Sequence, residues 1–344
     1  MGGWMWEHLK ETEKPIVLYG MGNGADKILA VCEEKNIPVA GVFASDGFCR
    51  KHTYRGFAVT SYAQAKEAFG AMVVLVCFGT GRSEVLENIY RIAGEQELYA
   101  PDVPVYGEGL FGREHWSQHE EEYGKVFAML ADEASRRTFQ NLLAYKKSGK
   151  TECLRDCELL EEEAYESILQ FAGYEVYLDG GAYTGDTVLR FANRVKEYER
   201  IIAIEPDAKN FAKLLYNTAQ MKRTECLQLC LHSAKGQIPF AARAGRHASA
   251  DECGEMCAAD CIDNLPGRPA TFIKLDVEGQ EKQAVFGAQK TIAQYKPKLQ
   301  VAAYHRTGDL FSIPLLVKTI RPDYRVYMRH HPCVPAWDTY YYFV

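Results

Sequence analysis

The sequence predicts an α/β protein made of two doubly wound units joined by a helical segment. Three observations carry this. Short apolar runs alternate with helical periodicity over the first hundred residues, and the same alternation restarts at Tyr174. In each half, an apolar strand runs into a glycine-rich turn. From about 115 to 171 the texture is helical instead. The expected divisions are 1–112, 113–172 and 173–344, a length that fits two ordinary domains.

In the first unit, the run Pro15–Tyr19 ends in Gly20-Met21-Gly22-Asn23-Gly24-Ala25, followed by helical spacing at Ile28, Leu29, Val31 and Cys32. A second strand, Val39–Phe43, leads to Asp46, and Met72–Phe78 is a third. Strand, glycine turn, helix, strand, acid is the Rossmann-like dinucleotide pattern, in which Gly20, Gly22, Gly24 and Asp46 form a candidate second nucleotide site. The middle segment repeats apolar residues at helical spacing (Val126, Phe127, Leu130; Phe139, Leu142, Leu143), with breaks near Gly149 and Gly173. Two or three helices are expected there, packing on the second unit. In the second unit the strands are Glu175–Leu178, Ile201–Ile204, Cys226–Leu231, Thr271–Leu275 and Leu299–Ala303, with helices Asp186–Val195 and Ala208–Met221. The aromatic runs Tyr324–Met328 and Thr339–Val344 predict a terminal antiparallel pair.

Composition bounds the function. The chain has 344 residues, 47% apolar and 25% charged, and a net charge of −6 without a concentrated basic block. That argues against a general nucleic-acid binder, and no apolar run is long enough to span a membrane. The N-terminus lacks the pattern of a signal peptide, and the 11 cysteines are odd in number, so reduced thiols and a cytoplasmic location are expected. Cys153-x3-Cys157 and Cys253-x3-Cys257-x3-Cys261 are read as structural thiols, the latter one residue off an iron–sulfur spacing. Oligomeric state is not legible.

The turn Tyr177-Leu178-Asp179-Gly180-Gly181-Ala182-Tyr183-Thr184-Gly185-Asp186-Thr187 holds two carboxylates and no Lys-Ser/Thr pair, so it is not a P-loop. Thr184 or Asp186 is expected to cap the helix that follows. The strand Arg200–Ile204 ends in Glu205-Pro206-Asp207, where Glu205 is placed to accept ribose hydroxyls. A ligand with a ribose and a cationic tail suits this set, and S-adenosylmethionine has both. A dinucleotide is the alternative, but its pyrophosphate would meet Asp179 and Asp186.

The segments Val176–Thr187, Ile201–Asp207 and Phe272-Ile273-Lys274-Leu275-Asp276-Val277-Glu278-Gly279-Gln280-Glu281 resemble the FkbM family of S-adenosylmethionine-dependent methyltransferases, over about 130–344. The resemblance implies a seven-stranded class I methyltransferase sheet with a terminal antiparallel pair, and O-methylation of hydroxyls on sugars, glycan precursors or related bacterial natural products. It implies a donor site at Asp179, Gly180, Gly181, Ala182, Thr184, Gly185, Asp186 and Thr187, with Glu205, Pro206 and Asp207 at the ribose. His232 and Ser233 would lie near the adenine. Asp276 and Glu278 would face the acceptor from the strand's C-terminal rim.

A hydroxyl acceptor benefits from a base within hydrogen-bond reach. Asp276 comes first, because a carboxylate ending an apolar strand is costly without a task. Glu278 and His305 follow, whereas Glu281 is read as anchoring a helix start. No metal is called for; a divalent ion on Asp276 and Glu278, as in some catechol methyltransferases, is the alternative. Arg243, Arg246 and His247 form a basic stretch read as a solvated loop. Residues from Pro15 to about Ile89 also resemble the sugar-nucleotide-binding domain of bacterial sugar acyltransferases, which implies recruitment of a nucleotide-linked acceptor. The competing readings are an NAD-dependent oxidoreductase or epimerase, which here lacks a Tyr-x-x-x-Lys pair, and a nucleotide-binding module without turnover.

Overall fold

Runs of four β-branched and apolar residues, buried on both faces, make the centre of each sheet, as parallel strands covered by helices require. The computed structural model describes residues 3–45, 53–107, 109–240 and 255–344. The first sheet contains β1 (Ile16–Tyr19), β2 (Val39–Phe43), β3 (Thr53–Tyr54), β4 (Phe57–Thr60), β5 (Val73–Val76) and β6 (Glu97–Tyr99). Its order is β3-β4-β2-β1-β5-β6, parallel except for the β3–β4 hairpin. Helices Asn23–Glu34, Tyr62–Phe69 and Ser83–Glu95 connect the strands.

The middle segment forms helices Arg113–Met129, Glu133–Ser148, Thr151–Arg155 and Glu161–Ala164, the last continuing as a π turn, Tyr165–Leu169. Asp132 caps the second by accepting from Ser135 N, and Gly149 ends it at φ +67°. Arg329 donates to the same Asp132 at 2.6 Å, which ties these helices to the second sheet.

That sheet contains β7 (Val176–Gly180), β8 (Arg200–Ile204) and β9 (Thr224–Leu227). After them come β10 (Cys230–Leu231), β11 (Gly236–Phe240) and β12 (Glu255–Asp260), which form a separate three-stranded sheet. Then β13 (Phe272–Leu275), β14 (Lys298–Ala302), β15 (Val326–His330) and β16 (Thr339–Phe343) complete seven strands in the order β15-β16-β14-β13-β7-β8-β9. Both β14–β16 and β15–β16 are antiparallel and the rest parallel, which agrees with the expected terminal pair.

The expected strand Cys226–Leu231 is in fact two. Its first part pairs with β8, and its last two residues leave to pair with β12, so the chain breaks between the sheets. One buried cluster joins Val17 and Val74 of the first sheet, Tyr123 and Leu142 of the connecting helices, and Ile273 and Val301 of the second. The units therefore share a core.

Strand order reverses between β7 and β13, which lie side by side with Gly180 opposite Leu275. The two motifs of the sequence, Asp179–Thr187 and Lys274–Glu281, thus emerge together at the sheet's switch point, where open α/β sheets hold ligands.

Candidate active site

A cavity of about 550 Å³ opens at this rim. One side is the turn after β7. Gly181 stands at φ +80°, and a Cβ there would lie 1.9 Å from the Asp276 carbonyl oxygen. Only glycine lets the turns after β7 and β13 approach this closely. Gly180 is also tight, its absent Cβ 2.6 Å from Leu231, and Ala182 is fully buried. Tyr183, at φ +49°, donates its N–H to Glu205 Oε2 at 2.9 Å, while Asp207 N donates to Oε1 at 3.0 Å. Burial pushes the Glu205 carboxyl up to about 7.

Gly181, Asp186, Thr187, Glu205 and Pro206 line the cavity. The others of the expected donor set do structural work at its edge. Thr184 accepts from Asn217 through its carbonyl, and Gly185, not Thr184 or Asp186, holds the cap position of the helix Asp186–Arg194, with no side-chain cap. Asp186 instead pairs with Arg190 at 3.5 Å. Asp207 caps the helix Ala208–Thr218, accepting from Lys209 N and Asn210 N at 2.9 Å each. His232 and Ser233 contact each other at 3.3 Å outside the lining, and the cavity wall there is Leu229–Leu231.

Asp179 is fully buried. Its carboxylate takes the Thr187 hydroxyl and lies 3.3 Å from Lys274 Nζ, itself 3% exposed. Lys274 also lies 3.9 Å from Asp276, so one buried ammonium serves the carboxylates of both motifs. Burial disfavours its charge, but Asp179 and Asp276 hold it above the usual lysine range.

On the opposite side Asp276 accepts hydroxyls from Tyr304 and Tyr340, one on each oxygen, both at 2.9 Å. Burial works against its charge, yet Lys274, His305 and the two phenols keep its carboxyl below the ordinary range. His305 is buried against three carboxylates: Nδ1 is 3.0 Å from Glu281, and Nε2 is 3.4 Å from Glu278 and 3.7 Å from Asp276. Desolvation alone would neutralise it, but Glu281 and Glu278 raise it well above the usual histidine range. Glu278 occupies φ +53°, a strained backbone for a non-glycine residue beside a site. Glu281 begins the helix Glu281–Phe286 but accepts Val277 N and Gly279 N, so it anchors the preceding turn and does not cap the helix start.

The first unit supplies a wall. Gly79, Thr80, Gly81 and Ser83, after β5, line the cavity. Thr80 exchanges two backbone hydrogen bonds with Val334, at 2.8 and 3.0 Å, in the β15–β16 connection. Gly79 is open because Trp337 packs on it; a Cβ would be 2.0 Å from the indole. The glycines of the first turn have internal reasons. Phe78 packs on Gly20, the Cys77 carbonyl on Gly24, and Gly22 caps the helix at φ +102°. None of the three lines the cavity, and Asp46 lies outside the described residues, as do Arg243, Arg246, His247 and Cys253.

Sequence reasoning quoted Lys274 without giving it a role and missed the contributions of Tyr304, Tyr340 and Thr80. A lysine inside the otherwise apolar Phe272–Leu275 was the available signal, because a buried ammonium demands partners.

No family model matches the sequence, and no curated protein matches it. Among solved structures, the chain is similar to the methyltransferase FkbM of Methylobacillus flagellatus KT, with a TM-score of 0.74 at 22% identity. That likeness covers 98% of this chain and 92% of the other, so the fold is shared across both units. The precorrin-6y C5,15-methyltransferase of Geobacter metallireducens GS-15 covers 52% of this chain and 84% of its own, at 12% identity and a TM-score of 0.35. The fibrillarin of Aeropyrum pernix, with natively bound S-adenosyl-L-methionine, covers 50% and 67%, at 13% identity and a TM-score of 0.30. At those scores neither bears on the architecture. The second sheet has the class I methyltransferase order with an antiparallel end pair.

Proposed function

We propose that the chain is an S-adenosylmethionine-dependent O-methyltransferase whose acceptor is a hydroxyl of a small molecule of the sugar, glycan-precursor or related natural-product type. The observation that carries this reading is the single cavity wall formed by Glu205 and the Gly181–Thr187 turn, facing Asp276, Glu278 and His305 across the switch point. The fit to the donor is chemical. Gly181 keeps the cradle free of a Cβ, Glu205 offers carboxylate oxygens where a ribose would sit, and the surrounding acids suit a cation and not a pyrophosphate. The donor, when bound, supplies an electrophilic methyl group on a sulfonium.

The chain's own residues then hold the acceptor oxygen in line. Asp276, fixed by two phenols and held ionised, orients the hydroxyl by accepting its hydrogen bond. The carboxylates around His305 favour its protonated form, so it is not assigned as the base. Glu278, lining the cavity and contacting His305 Nε2, is the proton acceptor in this reading. The low net charge of −6 and the confined cavity favour a small acceptor over a nucleic acid. No helix of the described residues is long and apolar enough to cross a membrane.

Titration calorimetry of the full chain with S-adenosylmethionine, its demethylated product, NADH and UDP-sugars tests this. Saturable binding of the first two, weakened at least tenfold by Glu205→Ala, is expected. Binding of NADH alone would overturn it.

A further inference from the structure

We propose that Asp276, Glu281 and His305 form a binding site for one divalent cation at the acceptor end of the cavity. One ligand atom from each lies within 4.8 Å of the other two. The set comes from three places that only the fold unites: the end of β13, the first residue of the helix Glu281–Phe286, and the segment after β14.

One carboxylate oxygen in the cluster awaits a partner: Glu281 Oε2 is buried without a hydrogen bond among the described residues, and the Glu281 and His305 side chains are each 1% exposed. Nδ1 sits 3.0 Å from Glu281 Oε1, the separation of adjacent ligands around a cation with bonds of about 2.1 Å. The other ring nitrogen faces the Glu278 carboxylate at 3.4 Å, the arrangement by which an outer carboxylate fixes the tautomer of a metal-ligating imidazole. Asp276 is oriented by Tyr304 and Tyr340, and Glu281 by two backbone N–H groups.

The charge count agrees. Asp276, Glu278 and Glu281 surround one imidazole, and Lys274, 3.9 Å from Asp276, is shared with Asp179 on its far side. Two carboxylates and one imidazole suit a hard to borderline ion such as Mn²⁺ or Mg²⁺. Asp276 and His305 line the cavity, so remaining positions on the ion would face an acceptor. Holding acceptor oxygens and lowering the pKa of a hydroxyl is the work such an ion does. The cation site stands on geometry alone; that role for it rests on the methyltransferase reading.

The test uses the full chain, stripped with a chelator and titrated with Mn²⁺, with free ion followed by electron paramagnetic resonance. One equivalent binding in the micromolar range is expected, with affinity falling at least tenfold in His305→Gln and in Glu281→Gln. Circular dichroism on each variant checks folding, and Asp276→Asn serves as the third arm if either fails to fold. No saturable binding by the parent, or binding unchanged in the folded variants, would overturn the site. Donor titration of the same samples separates the two claims. Donor binding without Mn²⁺ binding removes the cation site and leaves the methyltransferase reading; Mn²⁺ binding without donor binding does the reverse.

Discussion

Replacing Lys274 by methionine removes the cation that, among the described residues, lies between Asp179 and Asp276, and keeps most of the side-chain volume. At an effective dielectric constant of about 20, attraction across 3.3 Å is about 5 kcal/mol and across 3.9 Å about 4 kcal/mol. Desolvation of the ammonium, buried to 3% exposure, offsets part of this in the parent. Truncating one partner of a buried pair typically costs about 3–5 kcal/mol, because the remaining charge stays buried and unpaired. We therefore expect Lys274→Met to lose about 3–5 kcal/mol in guanidinium unfolding at pH 7. The loss should shrink on acidification. A carboxylate stripped of its cation has a raised folded-state pKa, so its penalty disappears below the unfolded value and grows as pH rises. The double variant Lys274→Met/Asp179→Asn should recover at least 1 kcal/mol relative to the sum of the singles. A single-variant loss under about 1 kcal/mol, or no coupling, would refute the reasoning, since Lys274 would then not be holding the two motifs together.

Glu205, raised to about 7 from its usual 4.5, should make binding of the proposed donor pH-dependent. Between those values the folded chain keeps a proton that the unfolded chain lacks. The carboxyl's contribution to stability is thus full below about 4.5 and declines as pH rises through 7. Ribose hydroxyls need the ionised form, so donor affinity should rise across the same window, with proton release seen as buffer-dependent enthalpy; Glu205→Gln should flatten both. Gly181→Ala should cost about 1–3 kcal/mol or more by thermal denaturation, from φ +80° and the 1.9 Å approach to the Asp276 carbonyl. Glu278→Gln should lower turnover about 10²–10⁴-fold, leaving donor affinity within twofold by calorimetry; equal turnover would make Glu278 a structural residue.

The parts of the fold that the sequence disclosed are those with a strong local pattern. The runs at Val39–Phe43 and Arg200–Ile204 are strands because apolar, β-branched stretches bounded by turns have few alternatives. The break at Gln228–Leu229 was not legible, since which neighbour a short strand pairs with is decided by a partner, β12, about thirty residues away. The same holds at the site. Asp179, Glu205 and Asp276 stand out in the sequence because each ends a strand, although Asp179 lies behind the cavity wall, paired with Lys274. The phenols on Asp276 come from β16 and from the segment after β14, and Thr80 enters the cavity wall from the loop after β5, so no spacing announces Tyr340, Tyr304 or Thr80. Glu281 is read from the sequence as anchoring a helix start and in fact holds the turn before it; that it also faces His305 at 3.0 Å is a fact of tertiary packing. The proposed cation site rests on the buried imidazole against a third carboxylate, an arrangement that no spacing in the sequence announces.

The two backbone hydrogen bonds between Thr80 and Val334 make the halves of this chain poor candidates for mix-and-match engineering. A chimaera that swapped the N-terminal unit for a relative's would also import a different piece of pocket rim. Any residue larger than glycine at 79 would have to arrive with a smaller one at 337. The cavity rim is therefore built jointly by two stretches more than 250 residues apart, and under the proposed function libraries aimed at altering acceptor preference should vary Gly79–Gly81 and Pro332–Asp338 together.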